Sequence, residues 1–371
     1  MLVTPTTDPI ARIKAVGVGG CGGNAINTMI SQYNIEGVEF IAVNTDAQAL
    51  HNSLAPVTVA IGDTVTKGLG AGGDHIIGQK AAEESIDQLQ EILAGSDMVF
   101  ITAGMGGGTG TGATPIIGKI CKEMGTLTVA VVTKPFHFEG KRKMDSALEG
   151  IERMKENVDT LIVVPNQRIL DIIDKNISFF EAMKKGDDIL AQAVRAISSL
   201  VTQTGYINVD FADVKAVMSD SGSAHMGIGV AAGENRAEQA AKMATSSPLL
   251  EMSINGAKGV LLNIVGGPDM SMHEIDIIAE QVQKASAPDA NIIFGATVDE
   301  TLTDELHVIA LATGFDSSQS MTVSGKMVTK GKRGSDLSGN ITLNTTSSSD
   351  DKSDGDNLDD LDKPAFLRRK R

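Results

Sequence analysis

AGMGGGTGTG, residues Ala103–Gly112, stands between an apolar run at Met98–Ala103 that reads as a strand and a helical pattern at Thr114–Met124. Its glycines Gly104, Gly106, Gly107, Gly108 and Gly110 make a nest of backbone amides suited to an anion, and Thr109 and Thr111 add hydroxyls for phosphate oxygens or a metal-bound water. The lysine-bearing phosphate loop G-x-x-x-x-G-K-[ST] is absent, because Gly118-Lys119 lacks the upstream glycine and precedes Ile120. Phosphates are therefore expected on amides rather than on a loop lysine.

Upstream, GVGGCGGN (Gly17–Asn24) also joins a strand to a helix, and Gly17, Gly19 and Gly22 satisfy G-x-G-x-x-G. With Asp46 past the second strand, this pattern alone admits an NAD-dependent oxidoreductase, or merely a tight turn. A single Rossmann unit has no use for two such loops, so the second one argues against the oxidoreductase. Around them, strands are expected at Ile13–Val18, Val38–Asn44, Val57–Ile61, Met98–Ala103, Thr126–Thr133 and Thr160–Pro165. Helices are expected between them at Asn24–Ser31, Asp74–Ala94, Thr114–Met124 and Met144–Asn157, an alternation that predicts a parallel sheet.

From Ser178 to Gln203 a long helical period follows, with Phe180, Met183, Ile189, Val194, Ile197 and Val201 roughly on one face. Apolar runs at Met226–Ala232, Gly259–Val265, Asn291–Val298 and Leu306–Thr313, with helices at Asn235–Thr245 and His273–Ala285, then read as a smaller α+β domain. Beyond Phe315 the chain turns to Ser, Thr, Gly, Asn and Lys without hydrophobic period, which predicts a flexible linker. Asp350–Asp362 carries seven aspartates, and the chain ends KPAFLRRKR, five cations around Phe366 and Leu367.

At 371 residues the chain is too long for one core. Its 42% apolar and 21% charged residues are those of a globular protein, and the net charge of −15 disfavours nucleic acid and anionic membrane. Neither a secretory signal nor an apolar run long enough to span a bilayer is legible, and Cys21 and Cys121 are too few for a disulfide framework or zinc site, so a cytoplasmic location is expected. Forty glycines beside 10 Phe, 2 Tyr and no Trp mark a chain whose backbone approaches something closely.

GGGTGTG (Gly106–Gly112) resembles the signature loop of the tubulin/FtsZ family. GVGGCGGN, VNTDAQAL (Val43–Leu50), GLGAGG (Gly68–Gly73), VVTKPFHFEGKRK (Val131–Lys143), NVDFADV (Asn208–Val214) and the tail LDKPAFLRRK are similar, in order, to segments of bacterial cell-division GTPases of the FtsZ family. The resemblance runs from about Ile13 to Phe315. It implies an α/β fold: a Rossmann-like GTP-binding domain (1–177), a central helix (178–203), an α+β domain carrying the catalytic loop (204–316), a disordered linker (317–357) and a partner-binding tail (358–371).

The resemblance further implies that Gly20, Cys21, Gly22, Gly23, Asn24, Ala71, Gly72, Gly104, Gly107, Gly108, Thr109 and Gly110 hold phosphates. Thr133, Glu139, Arg142, Lys143, Asn166, Met183 and Asp187 would hold ribose and base, and Asp210, Asp213 and Asn208 would complete the neighbouring subunit's active site. A carboxylate at Asp187 can accept both N1–H and N2–H of guanine; read without the resemblance, Asp187 and Asp188 are a charged helical turn, and Asp210 with Asp213 a capping arrangement. The implied ligands are GTP or GDP with Mg2+, its own ligands unassigned. Partners would be further copies in a head-to-tail filament at the midcell division site, and cytoplasmic division proteins on the tail, with membrane contact only through them.

Three positions depart from the family pattern: Met183 replaces the Phe that stacks on guanine, Lys143 replaces an arginine with Arg142 one residue earlier, and Cys21 replaces a glycine. The alternatives left open are a structural filament protein that binds nucleotide without turnover and, for the tail, a nonspecific basic end.

Overall fold

The structure, a computed structural model, describes residues 11–33, 35–172, 177–202, 207, 209–246 and 254–315. Asn208, the linker and the tail lie outside the described residues.

The chain opens with β1 (Ile13–Val18), α1 (Gly19–Thr28) and a π-helical turn at Met29–Tyr33, then β2 (Val38–Asn44), α2 (Ala47–His51), β3 (Val57–Ala60), α3 (Asp63–Thr66), α4 (His75–Glu84) and α5 (Ile86–Leu93). Next come β4 (Met98–Gly104), α6 (Thr109–Glu123), β5 (Leu127–Lys134), α7 (Lys141–Asn157), β6 (Thr160–Pro165) and α8 (Asn166–Ile172). The long helix α9 (Phe179–Thr202) leads to α10 (Phe211–Met218), β7 (Gly222–Ala232), α11 (Arg236–Thr245), β8 (Gly259–Gly266), α12 (Met272–Ala285), β9 (Asn291–Val298) and β10 (Glu305–Thr313).

Strands lie in the order β3-β2-β1-β4-β5-β6-β7-β10-β8-β9. The first six are parallel and nearly continuous runs of Val, Ile and Ala, as expected of strands covered on both faces. One face packs Ile26, Phe100 and Val131 against Leu190, Val194 and Ile197 of α9. The other packs Val16, Ile101 and Val132 against Leu89, Ile117 and Met154. Because α9 is also buried against Met218, Leu261 and Leu311, one helix serves the cores of both halves. The second half has its own apolar cluster between α11, α12 and the sheet formed by β7, β10, β8 and β9.

The order reverses at β1, whose neighbours are β2 on one side and β4 on the other. Ligands of open α/β sheets bind beyond the carboxyl ends of strands at such a reversal. Both glycine loops leave from there.

Helix boundaries differ from the expectation in an informative way. Helices were expected to begin at Asn24 and Thr114, after the glycines; they begin at Gly19 and Thr109, inside the loops. Glycine's poor helix propensity hides these first turns from the sequence, and tertiary contacts impose them. The single helix expected over Asp74–Ala94 is two, broken at Ser85.

Candidate nucleotide site

The two loops face each other across a cleft of about 250 Å³, lined by Gly19, Gly20 and Cys21 on one side and Met105 to Gly110 on the other. Thr133, Pro135, Glu139, Lys143, Asn166 and Met183 complete its walls.

The glycines divide into two classes by what a Cβ would meet. At Gly104 it would lie 2.7 Å from the Cβ of Cys21, at Gly108 2.7 Å from that of Ala71, and at Gly110 2.7 Å from the carbonyl oxygen of Gly104. Gly106 has φ +99° and would bring a Cβ to 2.7 Å from the carbonyl oxygen of Lys143. Packing alone therefore requires four of the five glycines in the second loop. Gly17 and Gly22 are likewise consumed by the close crossing of α1 on β1. Gly20, Gly23 and Gly107 are different: none has a left-handed φ, and none has any atom within 4 Å of where a Cβ would stand. Nothing within the described residues requires glycine there, whereas a polyphosphate laid on the backbone would.

Several hydroxyls play other parts than their sequence context suggested. Thr111 is fully buried and its Oγ1 accepts from the Gly106 N–H at 2.8 Å, so it pins the loop and does not face a phosphate. Thr109 Oγ1 lies 2.6 Å from Thr45 Oγ1, tying the start of α6 to the end of β2. Thr114 Oγ1 donates to the Gly110 carbonyl. Glu139 accepts from the Phe136 N–H at 3.0 Å and from Lys143 Nζ at 3.0 Å, which closes the turn after β5 over one end of the cleft. Lys143 lines the cleft; Arg142 is exposed and is not among its lining residues. Asn24 and Gly72 are exposed, and Ala71 packs against Gly108.

Asn166, at the start of α8, is 8% exposed and its Oδ1 has no hydrogen-bond partner among the described residues. Asn166 lines the cleft, and a buried acceptor left unpaired costs free energy unless a ligand supplies the donor. One wall is a single face of α9, where Met183 lines the cleft and Asp187 follows one turn later. Burial first, and then the charge of Asp188, push the Asp187 carboxyl up to about 7. Burial, followed by the charge of Asp187, pushes the Cys21 thiol up to about 12. Asp188 is tied elsewhere: it accepts from Tyr33 Oη at 3.3 Å and from Lys185 Nζ at 3.4 Å.

Asp210 and Asp213 do not reach this cleft. Asp210 caps α10, its carboxylate accepting from the Ala212 N–H at 3.4 Å, and Asp213 stands in the first turn; both are exposed. Sequence reasoning missed Val18, Met105 and Pro135 as lining residues. None offers a chemical signal, since their side chains contribute shape alone.

A parallel sheet with two glycine loops at its reversal point, an orphaned acceptor and a half-buried acid is the architecture of a nucleotide-binding protein. Residues 12–174 match the GTPase domain of the Tubulin/FtsZ family, and residues 222–316 match the FtsZ family C-terminal domain. A solved FtsZ dimer from M. jannaschii, described as empty, is 45% identical over 83% of this chain and 89% of that chain, with a TM-score of 0.80. A second solved structure, of a point mutant of FtsZ from M. jannaschii, is 46% identical over 82% and 91%, with a TM-score of 0.79. A GTPγS-bound protofilament of CetZ2 from Haloferax volcanii shares the fold at 21% identity, over 83% and 94%, with a TM-score of 0.72. The chain belongs to the FtsZ family and carries its GTPase domain.

Proposed function

We propose that this chain hydrolyses GTP to GDP and phosphate at the contact between successive subunits of a head-to-tail filament, and that the filament builds the cell-division ring. Gly20, Gly23 and Gly107 leave room for the polyphosphate, with the other phosphate-loop residues shaping its bed. Asn166 takes a ribose hydroxyl, while Asp187 accepts from guanine N1–H and N2–H beside Met183. Adenine, with an acceptor at N1, leaves Asp187 unpaired and is disfavoured.

The observation that carries the shared site is the chemistry of the cleft walls. Among the described residues Glu139 is the only acid lining it, and that carboxylate is already engaged by the Phe136 N–H and Lys143. Phosphoryl transfer to water needs a positioned nucleophile more than covalent chemistry. Asp210 and Asp213, exposed at the start of α10, supply that group once they meet the γ-phosphate end of the next subunit, with Asn208 beside them in sequence.

Among the described residues no group of three His, Cys, Asp or Glu side chains could hold a metal ion. Mg2+ bound with GTP would take most of its ligands from phosphate and water, and its charge would offset that developing on the phosphates.

The carboxy-terminal segment Lys363–Arg371, outside the described residues, is proposed to recruit cytoplasmic division proteins through Phe366 and Leu367, at midcell and with membrane contact only through those partners. No helix among the described residues is long and apolar enough to cross a membrane.

The test is turnover against protein concentration. Activity per molecule rises steeply above an assembly threshold if the site is shared, and hydrolysis strictly first order in protein down to high dilution defeats the proposal. Asp210→Ala keeps GTP affinity while losing turnover by about 10²–10⁴. Mixed with a Thr109 variant that cannot hold nucleotide, it regains activity at the one interface type with both halves intact.

A further inference from the structure

Asp188 does not line the cleft, yet both of its carboxylate oxygens are engaged. The side chain is 13% exposed; Tyr33 Oη donates to Oδ1 at 3.3 Å and Lys185 Nζ to Oδ2 at 3.4 Å. The same face of α9 braces the phenol. Gln192 Nε2 donates to Tyr33 Oη at 3.3 Å, and the Arg195 guanidinium carbon lies 5.6 Å from the ring centre, one and two turns beyond Asp188. Tyr33 closes the π-helical turn after α1, the helix whose first residues belong to the upstream glycine loop. Turns of this kind are rare and recur at functional sites. One side chain therefore joins the helix that carries that loop to the helix that carries Asp187.

A fixed negative charge beside a half-buried carboxyl favours the protonated form of that carboxyl. Burial first, and the Asp188 charge second, bring Asp187 up to about 7. The groups around the pair are Cys21 on α1, a thiol pushed up to about 12 by burial and then by Asp187, and Tyr33, whose phenol burial raises above its ordinary value. Beyond them stand Glu139 after β5, paired with Lys143 at 3.0 Å, and Arg195, paired with Asp299 at 3.9 Å. Asn166 on α8 is uncharged, and its orphaned Oδ1 stands 3.7 Å from where a Cβ on Gly186 would be. The two states of Asp187 present different edges. Ionised, it offers acceptors alone, which suit guanine N1–H and N2–H; protonated, it offers one donor and one acceptor, which suit the N1 acceptor and the amino group of adenine.

We propose that the fixed charge of Asp188, held in place by Tyr33, governs the proton on Asp187 and through it which purine the site accepts: guanine when Asp187 is ionised, adenine as well when it is protonated. Asp188 is a positioning residue, because it acts through Asp187 rather than on the base. The inference rests on the guanine reading of Asp187 above and adds a second determinant to it, on a side chain outside the cleft. Discrimination between purines thereby depends on pH, and its strength near neutrality is set by the contact of Tyr33 with Asp188.

The test is calorimetric binding of GDP and of ADP to the full chain between about pH 5.5 and about pH 8. Both nucleotides carry the same diphosphate, so its own titration cancels in the ratio of affinities. For wild type the GDP/ADP ratio is expected to fall by up to about tenfold per pH unit as pH drops below about 7. Asp188→Asn is expected to raise the ratio at about pH 6 by about threefold or more. Tyr33→Phe raises it by less, and in the double variant adds nothing to the effect of Asp188→Asn. A merely structural role for either residue lowers both affinities together and leaves the ratio fixed. A wild-type ratio indifferent to pH overturns the inference, as does a ratio at about pH 6 that Asp188→Asn does not move, or a Tyr33→Phe effect that simply multiplies with that of Asp188→Asn. Should Asp188→Asn fail to fold, Tyr33→Phe decides alone, and an unmoved ratio overturns the inference. A wild-type chain without preference for GDP at about pH 8, or a preference that survives Asp187→Ala, overturns the guanine reading itself.

Discussion

The hydroxyl oxygens of Thr45 and Thr109 lie 2.6 Å apart, both residues buried, and this contact joins the end of β2 to the first residue of α6. Thr45→Val leaves the Thr109 hydroxyl unpaired at a buried position, which costs about 1–3 kcal/mol. The melting temperature is expected to fall and GTP affinity with it, because the first turn of α6 loses its anchor. Thr45→Ser restores both; equal behaviour of the Val and Ser variants in thermal melts contradicts the assignment.

The two classes of glycine give opposite outcomes for one chemical change. Gly107→Ala, with no atom within 4 Å, is expected to fold with unaltered thermal stability and to bind GTP at least tenfold more weakly. Gly110→Ala places a Cβ 2.7 Å from the Gly104 carbonyl oxygen and is expected to lower the stability of the nucleotide-free protein. Melting curves with and without GTP separate the two, and a destabilised nucleotide-free Gly107 variant removes the distinction.

If Asp187 reads guanine as proposed, its protonation links nucleotide binding to pH. Its folded value of about 7 stands above the ordinary 3.8, so between them the native state binds the proton more tightly than the unfolded chain. Stability of the free protein therefore falls as pH rises from about 4 to about 7. Guanine, which needs an acceptor, draws the opposite way: GTP affinity is expected to weaken up to tenfold per pH unit below about 7, with proton uptake by the free acid reversed as proton release on binding near pH 6. Calorimetry in two buffers of different ionisation enthalpy measures the release, and Asp187→Asn abolishes it.

Cys21 lines the cleft, yet burial pushes its thiol up to about 12, which leaves it scarcely ionised at neutral pH. Alkylation by iodoacetamide at about pH 7.5 is expected to be far slower than for an unhindered thiol and to stop when GTP covers the cleft. Rapid labelling indifferent to GTP counts against this placement. At Met183, a substitution to Phe is expected to tighten GTP binding by supplying a stacking face, read by equilibrium titration.

The periodic core elements were legible: β1, β2, β6 and β9 have the bounds their apolar runs suggest, and α9 differs from its expected span by one residue at each end. Legibility failed where backbone geometry overrides composition. The first turns of α1 and α6 are built from glycine, and the π-helical turn at Met29–Tyr33 has no compositional mark. In the site, the glycine-rich loops announced phosphate, but nothing in the string distinguished glycines required by packing, such as Gly110, from those with open space, such as Gly107. That difference belongs to neighbours brought together from distant parts of the chain.

Strand β7 belongs to two sheets. Gly222, Ser223 and Ala224 run beside β6, and from His225 onward the same strand pairs with β10. The direct ladder between the halves is thus three residue pairs long, against eight between β7 and β10 and six between β1 and β4. In the proposed filament, force passing from one half to the other would cross this short ladder and the flank of α9. Bending strain would then be expected to gather at this seam before it reaches either sheet.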